Sequence, residues 1–249
     1  MTMLDILIPM AGFSAFYPES ERAFPKAFTE VLGRPMIQKV IENLSTIKQK
    51  KRFIFIINEA DVKKYRLDNV LKMLTNNQCE IILQMGATRG AVCSLLLAIE
   101  HINHDNPILI SNADQIIDHD LNALLKKFGA ADVDGGVVTF DSVHPQWSYA
   151  RVDEYDRVME TAEKKPISRN AIAGLYYFSQ GKDFIESAKN SILKDRSHNN
   201  MYYTSTVLNE MVLNNKNIIQ CPILTSEYHS FYTPEKIQEF EGIYQANPR

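Results

Sequence analysis

Cysteine and long apolar runs are scarce in this chain of 249 residues. Its three cysteines, Cys79, Cys93 and Cys221, are odd in number, widely spaced and set in apolar contexts. This usage is typical of reduced core thiols rather than of a disulfide framework. The first apolar run, residues 6–10, is too short for a signal peptide or a membrane span. We therefore expect a cytoplasmic protein with no membrane partner.

An excess of either charge is also lacking. The chain has 27 Lys and Arg against 30 Asp and Glu, a formal net charge of -3, which indicates no nucleic-acid binding. Its length fits one large α/β domain or two small ones. Because no linker rich in Gly, Pro or Ser interrupts it, we expect one continuous domain over residues 1–249. Residues 1–140 would bind the part of the ligand that is common to many substrates, and residues 141–249 would build a lid or acceptor pocket.

Strand and helix patterns alternate through the first half. Apolar runs predict buried strands at residues 4–9, 52–57, 80–83, 107–110 and 136–140. Helical spacing of apolar residues predicts helices at 35–44, 62–74, 91–102 and 118–128. This order predicts an α/β fold with a mainly parallel central sheet flanked by helices on both faces.

The second half has shorter strands and charged turns. We predict strands at residues 149–153, 158–163, 172–178 and 218–221, and helices at 182–194, 204–214 and 234–244. In open α/β sheets, ligands bind at the carboxyl ends of parallel strands. That rule selects four stretches of this chain: residues 10–12, 58–59, 84–90 and 111–114.

The first stretch joins a strand to a loop that ends in Pro25-Lys26. Gly12 would let the backbone approach a ligand, and the lysine would supply a point charge to neutralise phosphate. A surface loop with a solvated lysine explains the same residues, since one glycine is a weak signal.

The next two stretches carry polar groups at strand ends. Gly86 and Gly90 flank a turn that leads directly into a helix, a place where base edges can meet backbone groups; an ordinary strand–turn–helix connection is the alternative. Asp114 follows the apolar strand before it and suits Mg²⁺, which usually takes one or two carboxylates plus phosphate oxygens. Alternatively, Asp114 caps the next helix, with Asp118 competing for that role.

A charged turn in the second half offers an acceptor site. Glu163 could accept sugar hydroxyls, Lys165 could hold a monophosphate, and Gly174 opens an alternating strand. A plain charged hairpin is the alternative. The aromatic cluster from Trp147 to Tyr149 either stacks a ligand or covers the core.

Taken in order, these motifs resemble those of the sugar-phosphate nucleotidylyltransferases of the pyrophosphorylase type. The resemblance covers most of the chain and runs through PMAG, PK, GRPMI, GATRGAVCSLLLA, SNADQ, HPQWSYA, AEKKPIS, AGLYYF and TPEKIQEF. HPQWSYA and EKKPIS are similar to the capsule and surface-polysaccharide branch. The resemblance implies a glycosyltransferase-A-like, Rossmann-like fold with a small additional β region for the acceptor.

The resemblance also implies a reaction and roles. A phosphorylated acceptor attacks the α-phosphorus of a nucleoside triphosphate, and pyrophosphate leaves. The implied roles are nucleoside contact for Ala11 and Gly12, base reading for Gln84 and Gly90, catalysis for Lys26 and Asp114, Mg²⁺ binding for Asp114, and acceptor binding for Tyr149, Ala150, Glu163, Lys165 and Gly174.

Departures from the family pattern leave alternatives open. Ser14 and Phe16 stand where the family has a glycine and the arginine that grips pyrophosphate, and Arg22 is the nearest replacement. Near the C-terminus, Ser230 stands where many relatives have a second metal-binding aspartate, and Glu227 is a weak substitute. A catalytically impaired partner or regulatory subunit is therefore the second hypothesis.

A glycosyltransferase is the third hypothesis, although Asp114 is followed by Gln115 and Ile116, so a D-x-D pair is absent. The base and the acceptor stay open. The oligomeric state is also open, with a homodimer as the commonest default.

Overall fold

The structure is a computed structural model that describes residues 2–12 and 24–246. Ser14, Phe16 and Arg22, which carry the departures in the first loop, lie outside the described residues. None of the helices that the structure describes has the length and apolar character needed to span a bilayer.

The described residues form thirteen strands. They are β1 (Leu4–Pro9), β2 (Glu30–Val31), β3 (Arg34–Pro35), β4 (Lys51–Asn58), β5 (Cys79–Gln84), β6 (Ile108–Ser111), β7 (Gln115–Ile117), β8 (Gly135–Asp141), β9 (Tyr149–Val152), β10 (Val158–Ala162), β11 (Asn170–Phe178), β12 (Ile218–Pro222) and β13 (Tyr228–Ser230). Nine of these strands share one sheet, while β13 pairs with β7 and β2 with β3 in two small ones.

The same residues form nine α-helices. They are α1 (Met36–Ser45), α2 (Glu59–Tyr65), α3 (Leu67–Leu74), α4 (Ala91–Leu95), α5 (Ile99–Ile102), α6 (Leu121–Phe128), α7 (Gly181–Leu193), α8 (Thr204–Leu213) and α9 (Pro234–Ala246). Short 3₁₀ turns occur at Lys26–Phe28, Leu96–Ala98 and Thr225–Glu227.

The centre of the main sheet is parallel, as predicted. β1 lies between β4 and β6, β5 follows β4 at the edge, and all three pairings are parallel. From β1 the chain first builds the β4 side and then returns to build β6 on the other side. The switch point of the sheet, where α/β proteins bind ligands, is therefore the gap between the carboxyl ends of β1 and β6.

The late strand β11 lies inside this sheet and is antiparallel to both of its long neighbours, β6 and β8. β12 continues the sheet beyond β8 in parallel, and the β9–β10 hairpin joins β11 at Ala171. The sheet is thus mixed with a parallel centre, which confirms the predicted fold class.

Alternating strand residues enter two separate cores, one on each face of the sheet. Leu4, Ile6 and Ile8 of β1 join the core beneath α1, α3 and α6. Leu7 joins the opposite core beneath α4, α7 and α8. Burial on both faces is the reason that these strands read as continuous apolar runs.

Two of the predicted helices are broken. The helix expected over 62–74 is divided at Arg66, which has a left-handed φ of 55°, into α2 and α3. The helix expected over 91–102 is interrupted by the 3₁₀ turn Leu96–Ala98. Leu95 and Ala98 are both buried, and their spacing of three residues suits a turn of this kind.

A third helix begins later than predicted. α6 starts at Leu121 rather than residue 118, because Asp120 caps it by accepting a hydrogen bond from Asn122 N at 2.9 Å. Neither Asp114 nor Asp118 is that cap. The preceding residues form β7, a strand that the sequence pattern did not predict.

A buried ion cluster holds the amino end of the parallel strands. The side chain of Asp5 is 2% exposed, and its carboxylate accepts hydrogen bonds from Arg52 Nε at 2.9 Å and Nη2 at 3.0 Å. His104 Nε2 lies 2.8 Å from the same carboxylate. Strands β1 and β4 and the segment before β6 are therefore joined at the end opposite the switch point.

Candidate active site

Lys26 and Asp114 meet at the switch point of the sheet. Lys26 Nζ lies 2.5 Å from Asp114 Oδ2, and their side chains are 19% and 23% exposed. Lys26 begins the 3₁₀ turn Lys26–Phe28, whereas Asp114 follows β6. The structure therefore brings together the two residues that the sequence assigned to catalysis.

The C-terminal strand β13 forms a second wall beside Asp114. Phe231 N donates to Asp114 O at 2.7 Å, and Ser230 lies opposite Gln115 in the pairing of β13 with β7. Lys26 Nζ lies 5.3 Å from the ring centroid of Tyr232. Sequence reasoning noted this region only through its departures, since a three-residue strand carries no periodic pattern.

Tyr228 brings a phenol into the same site. Burial and the nearby Asp114 charge raise the pKa of its hydroxyl, which keeps it protonated and able to donate. Its Oη lies 3.4 Å from Gln115 Oε1.

Glu227 is not placed to replace a second metal ligand beside Asp114. Its Oε1 lies 2.9 Å from His119 Nδ1, and its Oε2 accepts from Leu224 N at 2.7 Å. The His119 contact lowers the pKa of this carboxyl. Both of its oxygens are thus occupied, and it precedes β13 at the end away from Ser230.

Gly174 lies against the Asp114 turn. It interrupts the register in the middle of β11, with a φ of +63°, rather than opening a strand as predicted. An added Cβ would approach Asn112 Nδ2 to 2.3 Å and Gln115 Oε1 to 2.5 Å. Asn112 N also donates to Gly174 O at 3.1 Å. The missing side chain therefore lets β11 approach the turn that carries Asp114.

Glu163 is a buried carboxylate held by two serines. It is 9% exposed, and its Oε2 accepts hydrogen bonds from Ser148 Oγ and, at 2.8 Å, from Ser205 Oγ. Burial, together with the Glu163 charge, raises the pKa of the adjacent Tyr176. Because one carboxylate oxygen accepts from both hydroxyls, the two serines hold this side chain in one orientation.

The other predicted acceptor residues fall in two environments. Lys165 is exposed on the turn between β10 and β11. Tyr149 is 0% exposed, and its hydroxyl donates to His144 O at 2.6 Å. Ala150 is also 0% exposed, and its carbonyl accepts from Ser168 Oγ at 2.7 Å. The side chains of Tyr149 and Ala150 thus belong to the core.

Gln84 is the last residue of β5, and one of its side-chain polar atoms has no hydrogen-bond partner among the described residues. It is 3% exposed, and its Nε2 donates to Gly86 O at 2.9 Å. Its Oε1 is buried and accepts no hydrogen bond from the described residues. Because an unpaired buried acceptor costs about 1–3 kcal/mol, this atom fits a ligand that brings an N–H group.

Ala11 and Gly12 follow β1 on the near side of the switch point. Ala11 is 4% exposed, whereas Gly12 is exposed, and a Cβ added there would meet no described atom within 4 Å. Packing among the described residues does not require a glycine at this position.

The backbone of Tyr202 packs so closely on Gly90 that this position requires a glycine. A Cβ there would come within 2.5 Å of Tyr202 O and 2.7 Å of Tyr202 N. Its φ of 103° and ψ of 177° lie in a region essentially restricted to glycine. Close packing against Tyr202 thus explains the glycine independently of any base contact.

Gly90→Ala should lower the free energy of unfolding by about 1–3 kcal/mol or more, since the side chain adds both backbone strain and a clash. Gly86→Ala is the matched control, because its φ of +76° is also positive but no atom lies within 4 Å of the added Cβ. Urea unfolding of both variants measures the difference. Equal losses would contradict a packing role for Gly90.

The Asp114 carboxylate suits a magnesium ion that is also bound by phosphate oxygens. Asp114 provides one partly exposed carboxylate, and Mg²⁺ is commonly bound by one or two carboxylates plus phosphate oxygens and water. Within residues 2–12 and 24–246, no group of three or more His, Cys, Asp or Glu side chains could hold a metal.

The fold closely matches solved nucleotide-sugar enzymes. A nucleoside-diphosphate-sugar pyrophosphorylase from Vibrio cholerae RC9 is 22% identical with a TM-score of 0.83, over 95% of this chain and 99% of that one. A UDP-glucose pyrophosphorylase complexed with UDP-glucose is 17% identical with a TM-score of 0.78, over 98% and 99%. A CMP:2-keto-3-deoxy-manno-octonic acid synthetase complexed with CTP is 12% identical with a TM-score of 0.71, over 98% and 99%.

The TM-scores, from 0.71 to 0.83, establish a shared fold. A family model described as nucleotidyl transferase matches residues 14–226, which is most of the chain. The protein therefore belongs to the nucleotidyl transferase family.

Proposed function

We propose that this protein joins a nucleoside triphosphate to a phosphorylated sugar or sugar-like acceptor, releasing pyrophosphate, as a step in the synthesis of surface-polysaccharide precursors. The observation that carries the proposal is the Lys26–Asp114 pair, 2.5 Å apart at the switch point of the parallel strands. An ammonium and a carboxylate at this place suit phosphoryl chemistry, in which positioning and charge neutralisation provide most of the catalysis.

In the proposed reaction, an oxygen of the acceptor phosphate attacks the α-phosphorus of the triphosphate. The bond between the α-phosphorus and the bridging oxygen breaks, and that oxygen leaves with pyrophosphate. Lys26 neutralises phosphate charge as it develops, and Asp114 holds Mg²⁺. When bound, the ion supplies further neutralisation of the phosphate oxygens.

The predicted binding residues form two groups, one for the nucleoside and one for the acceptor. Ala11, Gly12, Gln84 and Gly90 would bind the nucleoside, and the unpaired Gln84 Oε1 supports base contact. On the acceptor side, Glu163 would receive hydroxyl groups and Lys165 would hold the phosphate. The burial of Tyr149 and Ala150 supports a role for their strand in shaping the acceptor pocket, with no direct side-chain contact.

A matrix of substrates tests the activity. Each common ribonucleoside triphosphate and dTTP is incubated with Mg²⁺ and with one member of a panel of sugar 1-phosphates, polyol phosphates and amino-alcohol phosphates. We expect pyrophosphate release for one or a few pairs, dependent on both substrates and abolished by EDTA. Silence across the panel would count against the proposal, and release of nucleoside diphosphate would indicate a glycosyltransferase.

A partner or regulatory subunit without turnover is the second candidate. It is favoured by the environment of Ser230, which faces Gln115 beside Asp114 and brings no carboxylate, while Glu227 is engaged by His119. This candidate predicts that a nucleotide raises the melting temperature while no pyrophosphate appears.

A further inference from the structure

Residues 202–205 lie between the two predicted substrate sites. At one end of this segment, Tyr202 N donates to Arg89 O at 2.8 Å, and Val92 N donates to Tyr202 O at 3.2 Å. Tyr202 is 3% exposed, and its backbone fills the space that a side chain at Gly90 would need. The segment is therefore attached to the predicted nucleotide turn by its main chain.

The other end of the segment reaches Glu163. Ser205 is 0% exposed, and its Oγ donates to Glu163 Oε2 at 2.8 Å. Its carbonyl accepts from Thr161 Oγ1 at 2.6 Å, which ties its backbone to β10. Ser148 donates to the same carboxylate oxygen from the other side.

This arrangement leaves one oxygen of Glu163 available. Among the described residues, both hydrogen bonds to this side chain end on Oε2, so Oε1 can receive a ligand hydroxyl. A polar side chain at 9% exposure needs hydrogen-bond partners that replace the water removed by burial. The two serines supply those donors and restrict the rotation of a flexible side chain.

We propose that Ser148 and Ser205 are positioning residues that orient Glu163 toward the phosphorylated acceptor, and that residues 202–205 set this carboxylate relative to the nucleotide turn at Gly90. The inference rests on the proposed function, because it takes Glu163 as the group that binds acceptor hydroxyls. Neither serine contacts the reacting atoms; each acts through Glu163.

Ser148→Ala and Ser205→Ala test the first part. Because hydrogen bonds to charged groups are worth more than neutral ones, each change should raise the acceptor KM about tenfold. The kcat and the nucleotide Kd should change much less. The probe is the panel member with the fastest pyrophosphate release, beginning with glucose 1-phosphate, and titration calorimetry gives its Kd alongside the kinetics.

Two further variants separate positioning from general damage. Ser191→Ala removes another fully buried serine, on α7, whose Oγ lies 3.5 Å from Thr206 Oγ1, and should leave the acceptor KM unchanged. Ser148→Thr keeps the hydroxyl and should restore the acceptor KM. Since Ser148 is only half-buried, its variants keep the test valid if Ser205→Ala unfolds.

Gly90→Ala and Gly86→Ala test the second part. Gly90→Ala displaces Tyr202 and should raise the KM of both substrates, whereas Gly86→Ala should affect the nucleotide alone. An unchanged acceptor KM in both serine variants, with wild-type turnover intact, would overturn the positioning role only. An unchanged acceptor KM in Gly90→Ala would overturn the link. A wild-type protein that neither binds nor converts any panel member would overturn this inference together with the proposed function.

Discussion

Lys26→Met should lower kcat about a hundredfold or more, which is the usual cost of losing one charged or hydrogen-bonding group aimed at transition-state charge. The lysine lies 2.5 Å from Asp114 at the switch point, and in the proposed function its ammonium neutralises the phosphates of the triphosphate. Methionine retains the length of the side chain and removes the charge. Steady-state pyrophosphate release measures the effect on kcat, and calorimetry measures nucleotide binding.

Lys194→Met is the matched control for the lysine change. Lys194 Nζ forms an ion pair with the buried carboxylate of Glu210 at 2.6 Å, and neither residue is among those assigned to catalysis or substrate binding. Removing it should reduce stability while kcat stays near the wild-type value in the folded protein. If both variants lose activity equally, the effect of Lys26 is structural, and the catalytic assignment fails.

Asp5→Ala should reduce the free energy of unfolding by about 1–3 kcal/mol, because it removes the buried acceptor of two hydrogen bonds from Arg52, a charged group that stays 29% exposed and 3.9 Å from Glu80. The Asp5 side chain is 2% exposed and receives two hydrogen bonds from Arg52 and a contact from His104. Urea unfolding followed by circular dichroism measures the loss.

Asp141→Ala provides the comparison for this prediction. Asp141 also pairs with an arginine through two hydrogen bonds, from Arg169 Nε at 2.7 Å and Nη2 at 2.8 Å. The two side chains are 61% and 70% exposed, and surface pairs contribute about 0–1 kcal/mol. A loss at Asp5 no larger than the loss at Asp141 would show that burial adds nothing to the first ion cluster.

The parallel strands and most helices were predictable from the sequence. A strand buried on both faces appears as a continuous apolar run, and a helix buried on one face has apolar residues at helical spacing. β1, β4 and α1 illustrate this agreement. The apolar pattern could not locate the break between α2 and α3 at Arg66, since a single left-handed residue leaves the apolar spacing almost undisturbed. It also missed β7 and β13, which pair only with each other over three residues.

The site residues were predictable where they lie at the carboxyl ends of the parallel strands or within a recognisable motif. The rule for strand ends selected Asp114 and Gln84, the loop and turn motifs selected Lys26 and Glu163, and the family resemblance gave these residues their roles. Ser148 and Ser205 were not found, because a serine that supports a distant carboxylate carries no local signal. Tyr149 shows the converse limit, since an aromatic residue in a family motif proves to be fully buried.

The main sheet cannot be completed until the antiparallel strand β11 has been synthesised. β6 and β8 leave the ribosome well before β11, yet β11 is the strand that joins them. Until it arrives, β6 exposes an apolar, unpaired edge, the kind of edge that invites aggregation. Nascent chains stalled before residue 170 should therefore need a chaperone to remain monomeric.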